Sequence, residues 1–373
     1  MTATPIDLDV AAATLACLPG ITPARLRVLV ERWGGVVPAL RAVRRGQGAR
    51  TLPGGPNASL SANERAALGR AWAAAADPAP IAAVVSRRGT QVLVAGGPGY
   101  PIDEQLPGRP EILLAEGDRA EVLDRPRVAV VGTRSATVHG LADARALGTT
   151  LAEAGVTVVS GLAIGIDGAV HEGALDAGGG VVGVVATGLD IVYPRRHGRL
   201  FDRVRRAGLI VSETGFGVPP EASRFPVRNR IIAALADVTV VVEATLRGGA
   251  RITADHALAY GRAVLAMPGS RRNAAAAGCN ALLVDGAHPM IEPSDVLVAL
   301  GLSPGSRRPG TASARARPQG HEGTVLRACG GEPATTDQLT SRTGLSAEQV
   351  AVALAGLERA GWVSRSRGFW WPA

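Results

Sequence analysis

The chain has 373 residues, 46% of them hydrophobic, and a formal net charge of +8, enough for two or three domains with real cores and basic enough to put polyanions first among partners. All 40 basic residues are arginine, which excludes a lysine Schiff base and the lysine of a G-x-x-x-x-G-K-[ST] nucleotide loop. Cys17, Cys279 and Cys329 lie far apart, no leader-like start is present and no apolar run reaches membrane-spanning length, so a cytoplasmic protein without disulfides, zinc or membrane contact is expected.

Residues 8 to 42 read as helices around Leu18-Pro19-Gly20-Ile21-Thr22-Pro23, with Thr22 capping a helix that opens on Pro23. This turn resembles a helix-hairpin-helix, whose backbone N–H groups touch DNA phosphates without reading sequence; an ordinary Pro-Gly turn in a small packing domain is the alternative. A Gly/Pro/Arg-rich connection over 44–60 leads to an alanine-rich helix from Asn63 to Ala76. The expected first domain is helical, 1–77.

Apolar runs of strand length then recur at Ile81–Val85, Val128–Val131, Val156–Val159, Val181–Val185, Leu209–Val211, Val238–Val242 and Ala263–Met267, most of them separated by helix-like segments. That alternation predicts an α/β fold over 78–302, a Rossmann-like, doubly wound and mostly parallel sheet. Residues 303–320 have linker composition and are expected to be disordered. The last segment, 321–373, reads as a winged helix, with helices from Glu322, from Asp337 to Arg342 and from Ser346, then wing strands at Trp362–Ser364 and Phe369–Trp371 with Arg365 and Arg367 in the turn. Its third helix has almost no basic surface, which favours protein contact or packing over major-groove reading.

The strand ends carry the chemistry. Gly132-Thr133-Arg134, Ser160-Gly161, Thr187-Gly188, Ser212-Glu213, Glu243-Ala244 and Pro268-Gly269 each follow a strand, and the carboxyl edge of such a sheet is where ligands bind. Val128–Ser135 and Val156–His171 both read as a strand passing through a glycine turn into a helix, two adjoining cradles of phosphate size. Arg134, in the first turn of its helix, opposes the helix dipole unless an anion joins it. The G-x-G-x-x-G spacing and the ribose-binding acid are missing, so no dinucleotide cofactor is expected.

Asp167 and His171, four residues apart, share a helix face as an acid–base pair or as braces for a loop. His171 lacks the second histidine of H-E-x-x-H, so no metal is implied. Arg228 and Arg230 point about 200° apart; one braces Glu213 or Glu243 and the other is free for phosphate. Phe225 either stacks on a base or staples its helix. The Gly248-Gly249 turn is a further ligand contact, with Thr253 as a hydroxyl donor.

Together these segments are similar to the DNA-processing protein A family (DprA, also called Smf). The resemblance rests on Val131-Gly-Thr-Arg134, Ser160 through Asp167 to His171, Thr187–Asp190 with Tyr193-Pro194, Ser212-Glu213, Phe225–Ile232, Val242-Glu243-Ala244, Gly248–Ala254, Pro268-Gly269 and Gly278-Cys-Asn280. It implies an extended Rossmann-like domain that binds single-stranded DNA without sequence preference, dimerises, loads the RecA recombinase during natural transformation and performs no catalysis. It assigns the DNA pocket to Gly132, Arg134, Ser160, Gly161, Arg228 and the Gly248-Gly249 turn, with Phe225 beside it. The residues themselves add Thr133, Arg230 and Thr253, with Asp167, His171, Glu213 and Glu243 as internal braces.

Two positions depart from the family pattern: Gly248 stands where serine is common, and Ala222 where some members carry a basic residue, with Arg224 nearby to compensate. Two other readings compete. One is a nucleotide phosphoribohydrolase using Glu213 or Asp167, although the P-G-G-x-G-T turn of that family is missing; the other is a winged-helix regulator whose Rossmann-like domain senses a nucleotide.

Overall fold

The computed structural model describes residues 7–52, 60–302, 318–329, 334–360, 362–366 and 368–372. Its contacts divide the chain into two units, 1–308 and 309–373.

The first unit opens with five helices whose limits follow local chemistry: α1 (Leu8–Ala16), α2 (Pro23–Trp33), α3 (Val36–Arg44), α4 (Ala62–Ala75) and α5 (Pro78–Arg88). Thr22 caps α2 ahead of Pro23, and Gly34 ends it in the left-handed region at φ 70°. Ser61 and Glu64 form a capping box on α4. Helix α5 contains Ile81–Val85, which the apolar run predicts as a strand. Asp77 caps it, Pro78 occupies its first turn and Gly89 closes it at φ 63°; these end signals outweigh the β-branched residues inside.

The sheet strands are β1 (Gln91–Val94), β2 (Ile112–Glu116), β3 (Arg127–Val131), β4 (Thr157–Ser160), β5 (Val181–Val184), β6 (Gly208–Ser212), β7 (Val238–Val241), β8 (Ala263–Ala266) and β9 (His288–Pro289). Their order is β1-β2-β6-β5-β4-β3-β7-β8-β9. The β1–β2 and β2–β6 pairs are antiparallel and the rest parallel. Between them run α6 (Val138–Glu153), α7 (Ile166–Asp176), α8 (Gly198–Ala207), α9 (Arg224–Leu235), α10 (Gly249–Ala259), α11 (Ala277–Val284) and α12 (Pro293–Ala299).

Alternation along each strand feeds two cores. Val128, Val130, Val158 and Ile210 pack with α6, α7, α8, α12 and the N-terminal helices, whereas Ala129, Val131, Val159, Val182 and Val211 pack with α9, α10 and α11. The chain therefore leaves β3 toward β4 on one side and returns to β7 on the other. That reversal opens a crevice at the carboxyl ends of β3, β4 and β7.

The second unit holds α13 (Gly320–Cys329), α14 (Thr336–Thr343), α15 (Ala347–Arg359) and an antiparallel hairpin of β10 (Val363–Ser366) and β11 (Phe369–Pro372). Capping boxes at Thr335/Gln338 and Ser346/Gln349 start α14 and α15. Val325, Leu339, Leu354, Leu357 and Trp370 form its core. Arg365 lies 5.5 Å from the centre of the Trp370 ring. The linker expected over 303–320 falls outside the described residues up to 317, as does Arg367.

Candidate functional site

At the switch point the loops after β3, β4 and β7 and the start of α9 surround a cavity of about 680 Å³. Gly132, Thr133, Arg134, Asp167, Phe225, Arg228, Gly248, Gly249 and Thr253 line it, together with Tyr193 and Asn229. Among the sequence-derived candidates, Ser160, Gly161, Arg230, Glu213, Glu243 and His171 do not.

Close backbone packing fixes the β3 and β4 turns. A Cβ at Gly132 would come within 2.7 Å of the Ile166 side chain and 2.9 Å of the Glu243 carbonyl. Gly165, at φ 85°, lets the start of α7 pass beneath Arg134, where a Cβ would lie 2.9 Å from the Arg134 Cα. Leu162 is fully buried in the left-handed region at φ 54°. Its side chain fills the space beside Gly183, and its carbonyl accepts from His197 at 3.1 Å. Strain of about 1 kcal/mol at such a residue persists because its surroundings over-determine it.

The two cradles expected at the helix starts are already filled by the protein's own carboxylates. Glu243 accepts from the Thr137 N–H at 2.9 Å and from Thr137 Oγ1 at 2.6 Å, while Thr137 Oγ1 accepts from Gly140 N–H at 3.0 Å. Asp167 Oδ2 accepts from the Gly161 N–H at 3.1 Å. No side chain caps α10, which starts at Gly249 on the cavity wall. Gly248, with no side chain, thus leaves the first N–H groups of α10 without a hydroxyl partner.

The two arginines of α9 take opposite sides. Arg230 pairs with Glu213, both about nine-tenths buried, near the Arg27–Glu111 pair at 3.2 Å; contrary to its expected place among the pocket residues, it does not line this cavity. Arg228 turns inward beneath the cavity floor and donates through Nη1 to the Gly161 carbonyl at 2.8 Å and to the Val184 carbonyl. A Cβ at Gly161 would strike this guanidinium, 2.7 Å from its carbon. Burial pushes Arg228 down to about 10, a shift opposed by Asp167 and increased by Arg134. Burial likewise raises the Asp167 carboxyl, against the pull of Arg228.

Ser160 and His171 serve the sheet. Ser160 Oγ donates to the Val130 carbonyl at 2.6 Å. His171 is fully buried with Nδ1 2.9 Å from the Asp167 carbonyl and Nε2 3.3 Å from the Val182 carbonyl, and burial pushes it down to about 4. The Asp167 carboxylate bonds to Gly161 and not to the imidazole, so the two do not form an acid–base couple.

At the mouth, the Arg134 guanidinium lies 5.0 Å from the centre of the Phe225 ring. Tyr193 meets the same ring at 5.5 Å with planes tilted by 43°. Arg134 and Tyr193 are exposed and Phe225 half-buried. Tyr193 comes from the loop between β5 and α8, so no helical or strand period ties it to this edge. Asn229, also unassigned by the sequence reading, donates to the Gly249 carbonyl at 3.0 Å and ties α9 to α10. Thr253 Oγ1 is buried beside the cavity without a hydrogen-bond partner among the described residues.

Residues 91–301 match the family model described as DNA recombination-mediator protein A, and residues 309–368 the DprA winged helix domain. A putative DNA processing protein DprA of Mycobacterium tuberculosis is 42% identical over 269 residues, covering 70% of this chain and 68% of the relative. Protein Smf of Synechocystis is 34% identical over 317 residues, 76% and 80% of the two chains. Among solved structures, DNA processing protein A of Streptococcus pneumoniae aligns with TM-score 0.64 at 30% identity, covering 79% of this chain and 98% of that one. The protein of the same name from Helicobacter pylori, whose structure is described for its single-stranded DNA binding mode, aligns with TM-score 0.51 at 28% identity over 57% and 95%.

Proposed function

The chain belongs to the DNA recombination-mediator protein A family (DprA/Smf), and from that premise we propose that its cavity binds single-stranded DNA without sequence preference. The observation that carries this reading is the exposed Arg134 guanidinium held on Phe225 beside Tyr193 at the cavity mouth. A guanidinium reads phosphate oxygens and an aromatic face accepts any base, so neither selects sequence.

Each group then has a task. Arg134 meets phosphate at the rim. The uncapped start of α10 at Gly248-Gly249 offers backbone N–H groups to a second phosphate, and Thr253 offers its unpartnered hydroxyl. Tyr193 presents a ring to a base. Arg228, tied to the Gly161 and Val184 carbonyls, holds the β4 turn in place and adds positive potential from below. Gly132, Thr133, Gly161 and Ser160 set the backbone path, and Asp167, His171, Glu213 and Glu243 brace it.

The family role completes the proposal: a homodimer in the cytoplasm, without catalysis, that delivers the bound strand to RecA during natural transformation. The hydrolase alternative loses its leading base, because Glu213 is paired with Arg230 away from this cavity. A gel-shift series with single and double strands at two salt concentrations tests the proposal. Preference for the single strand, weakened by salt and by Arg134→Ala, supports it; equal or stronger binding to duplex overturns it.

A further inference from the structure

Five of the eight units of net positive charge arise within residues 36–76, where Arg41, Arg44, Arg45, Arg50, Arg65 and Arg70 face a single carboxylate, Glu64. None of these six arginines makes an ion pair among the described residues. Glu64 pairs with none of them; its carboxylate accepts from the Ser61 N–H at 2.7 Å in the α4 capping box.

The packing of α4 on the short 3₁₀ turn Gly48–Thr51 shapes this charge into a groove of about 610 Å³. Arg50 stands on the turn and Arg65 and Arg70 on the helix, above a floor of Gly46, Ala49 and Gly69. The floor is small because Gly69 lies against Ala49, where a Cβ would sit 3.3 Å from the Ala49 methyl. This groove shares no lining residue with the cavity at the switch point. The Leu18–Pro23 turn, in contrast, lines a separate cavity against Thr214, Glu221 and Arg224.

We propose that the Arg50–Arg65–Arg70 groove is a second contact for nucleic acid, taking the phosphate backbone of the same single strand beyond the length held in the main cavity. The inference rests on the reading of that cavity as a single-strand site. Unpaired guanidinium groups on both walls match a line of phosphates, each of which releases condensed counterions on contact. Among the described residues the lining has no aromatic side chain, and its one large apolar side chain, Leu52, is buried, so it fits a sequence-independent backbone contact better than the apolar wedge of a membrane-surface element.

The test measures affinity against salt for an oligothymidylate of about 6 nucleotides and one of about 40, the shorter matched to a single site. The full chain is compared with R50Q/R65Q/R70Q and R50K/R65K/R70K, with melting curves taken as a check on folding. The glutamine variant is expected to bind the short strand unchanged and the long strand about tenfold more weakly, with a salt slope shallower by about 2; the lysine variant keeps the charge and restores long-strand binding. Unchanged long-strand affinity and slope in the glutamine variant overturn the proposal, as does a lysine variant as weak as the glutamine one. Loss of binding to phosphatidylglycerol vesicles with the long strand still bound would reassign the groove to a lipid surface and also overturn it. Short-strand binding that survives Arg134→Ala would instead sink the reading of the main cavity, whatever the groove does.

Discussion

Glu243 closes on Thr137: the carboxylate two residues past β7 accepts both the N–H and the hydroxyl of the residue that caps α6, at 2.9 and 2.6 Å. A helix start that looks like an anion cradle is thereby occupied from within, and Gly140 is required because a Cβ there would strike the same carboxylate. Glu243→Ala should lower unfolding free energy by about 2 kcal/mol and Thr137→Ala by about 1. Urea titration of both single variants and of the double variant reads the coupling; strict additivity would mean that the pair does not act as one cap.

Arg228 and Arg134 separate by what they hold. Arg228→Met removes the donor of the Gly161 and Val184 carbonyls and leaves Asp167 buried without its neighbouring cation, so stability should fall by about 3 kcal/mol along with affinity. Arg134→Ala, at an exposed site, should change affinity alone. Unfolding curves of equal midpoint for Arg228→Met and the unmodified chain would contradict the structural role of Arg228.

His171 supplies a pH signature. Burial holds its folded value near 4, below the usual value of about 6.5 for an unfolded histidine. Between those values the unfolded chain binds the extra proton, so stability rises with pH from about 4 to 6.5 and is lost as pH falls through that window. The difference in unfolding free energy between the chain and His171→Gln should grow across it by up to about 3 kcal/mol. Taking the difference cancels the opposite contributions of Asp167 and Glu213, whose carboxyls burial raises. A pH-independent difference would place the imidazole in solvent.

Tyr193 gives the proposed base a platform. Replacing it with alanine should weaken single-strand binding by about 1–2 kcal/mol, and Tyr193→Phe, which keeps the ring, should leave affinity near its starting value. Equal losses in both variants would assign the effect to the hydroxyl and not to stacking.

Much of this arrangement is legible in the sequence because the signals are local. β-branched runs that end in glycine mark β3 and β4 and the crevice between them, and the spacing of Arg228 and Arg230 forces them to opposite sides of α9. Which of the two meets Glu213 depends on the approach of β6, a tertiary fact. The same holds for the cradles: glycine turns are visible in one dimension, but the carboxylates of Glu243 and Asp167 reach them only across the fold. Tyr193 lies in a loop without periodicity, and only folding brings its ring onto Phe225. Strand β9 escapes notice because it has two residues, and β2, as long as β3, because its Ile112-Leu-Leu-Ala-Glu116 run carries one β-branched residue; Ile81–Val85 misleads because its branched residues outweigh, by eye, the Asp77-Pro78 start and the Gly89 stop.

The proposed role of Arg134, braced on Phe225, is to bind the phosphate backbone of a single strand. The most direct test is the dependence of oligothymidylate affinity on salt for the full chain and for Arg134→Ala, by fluorescence anisotropy. Loss of one phosphate contact should weaken binding at low salt and make the slope of log K against log salt shallower by about 0.7. Identical affinity and slope in the two proteins would contradict the account.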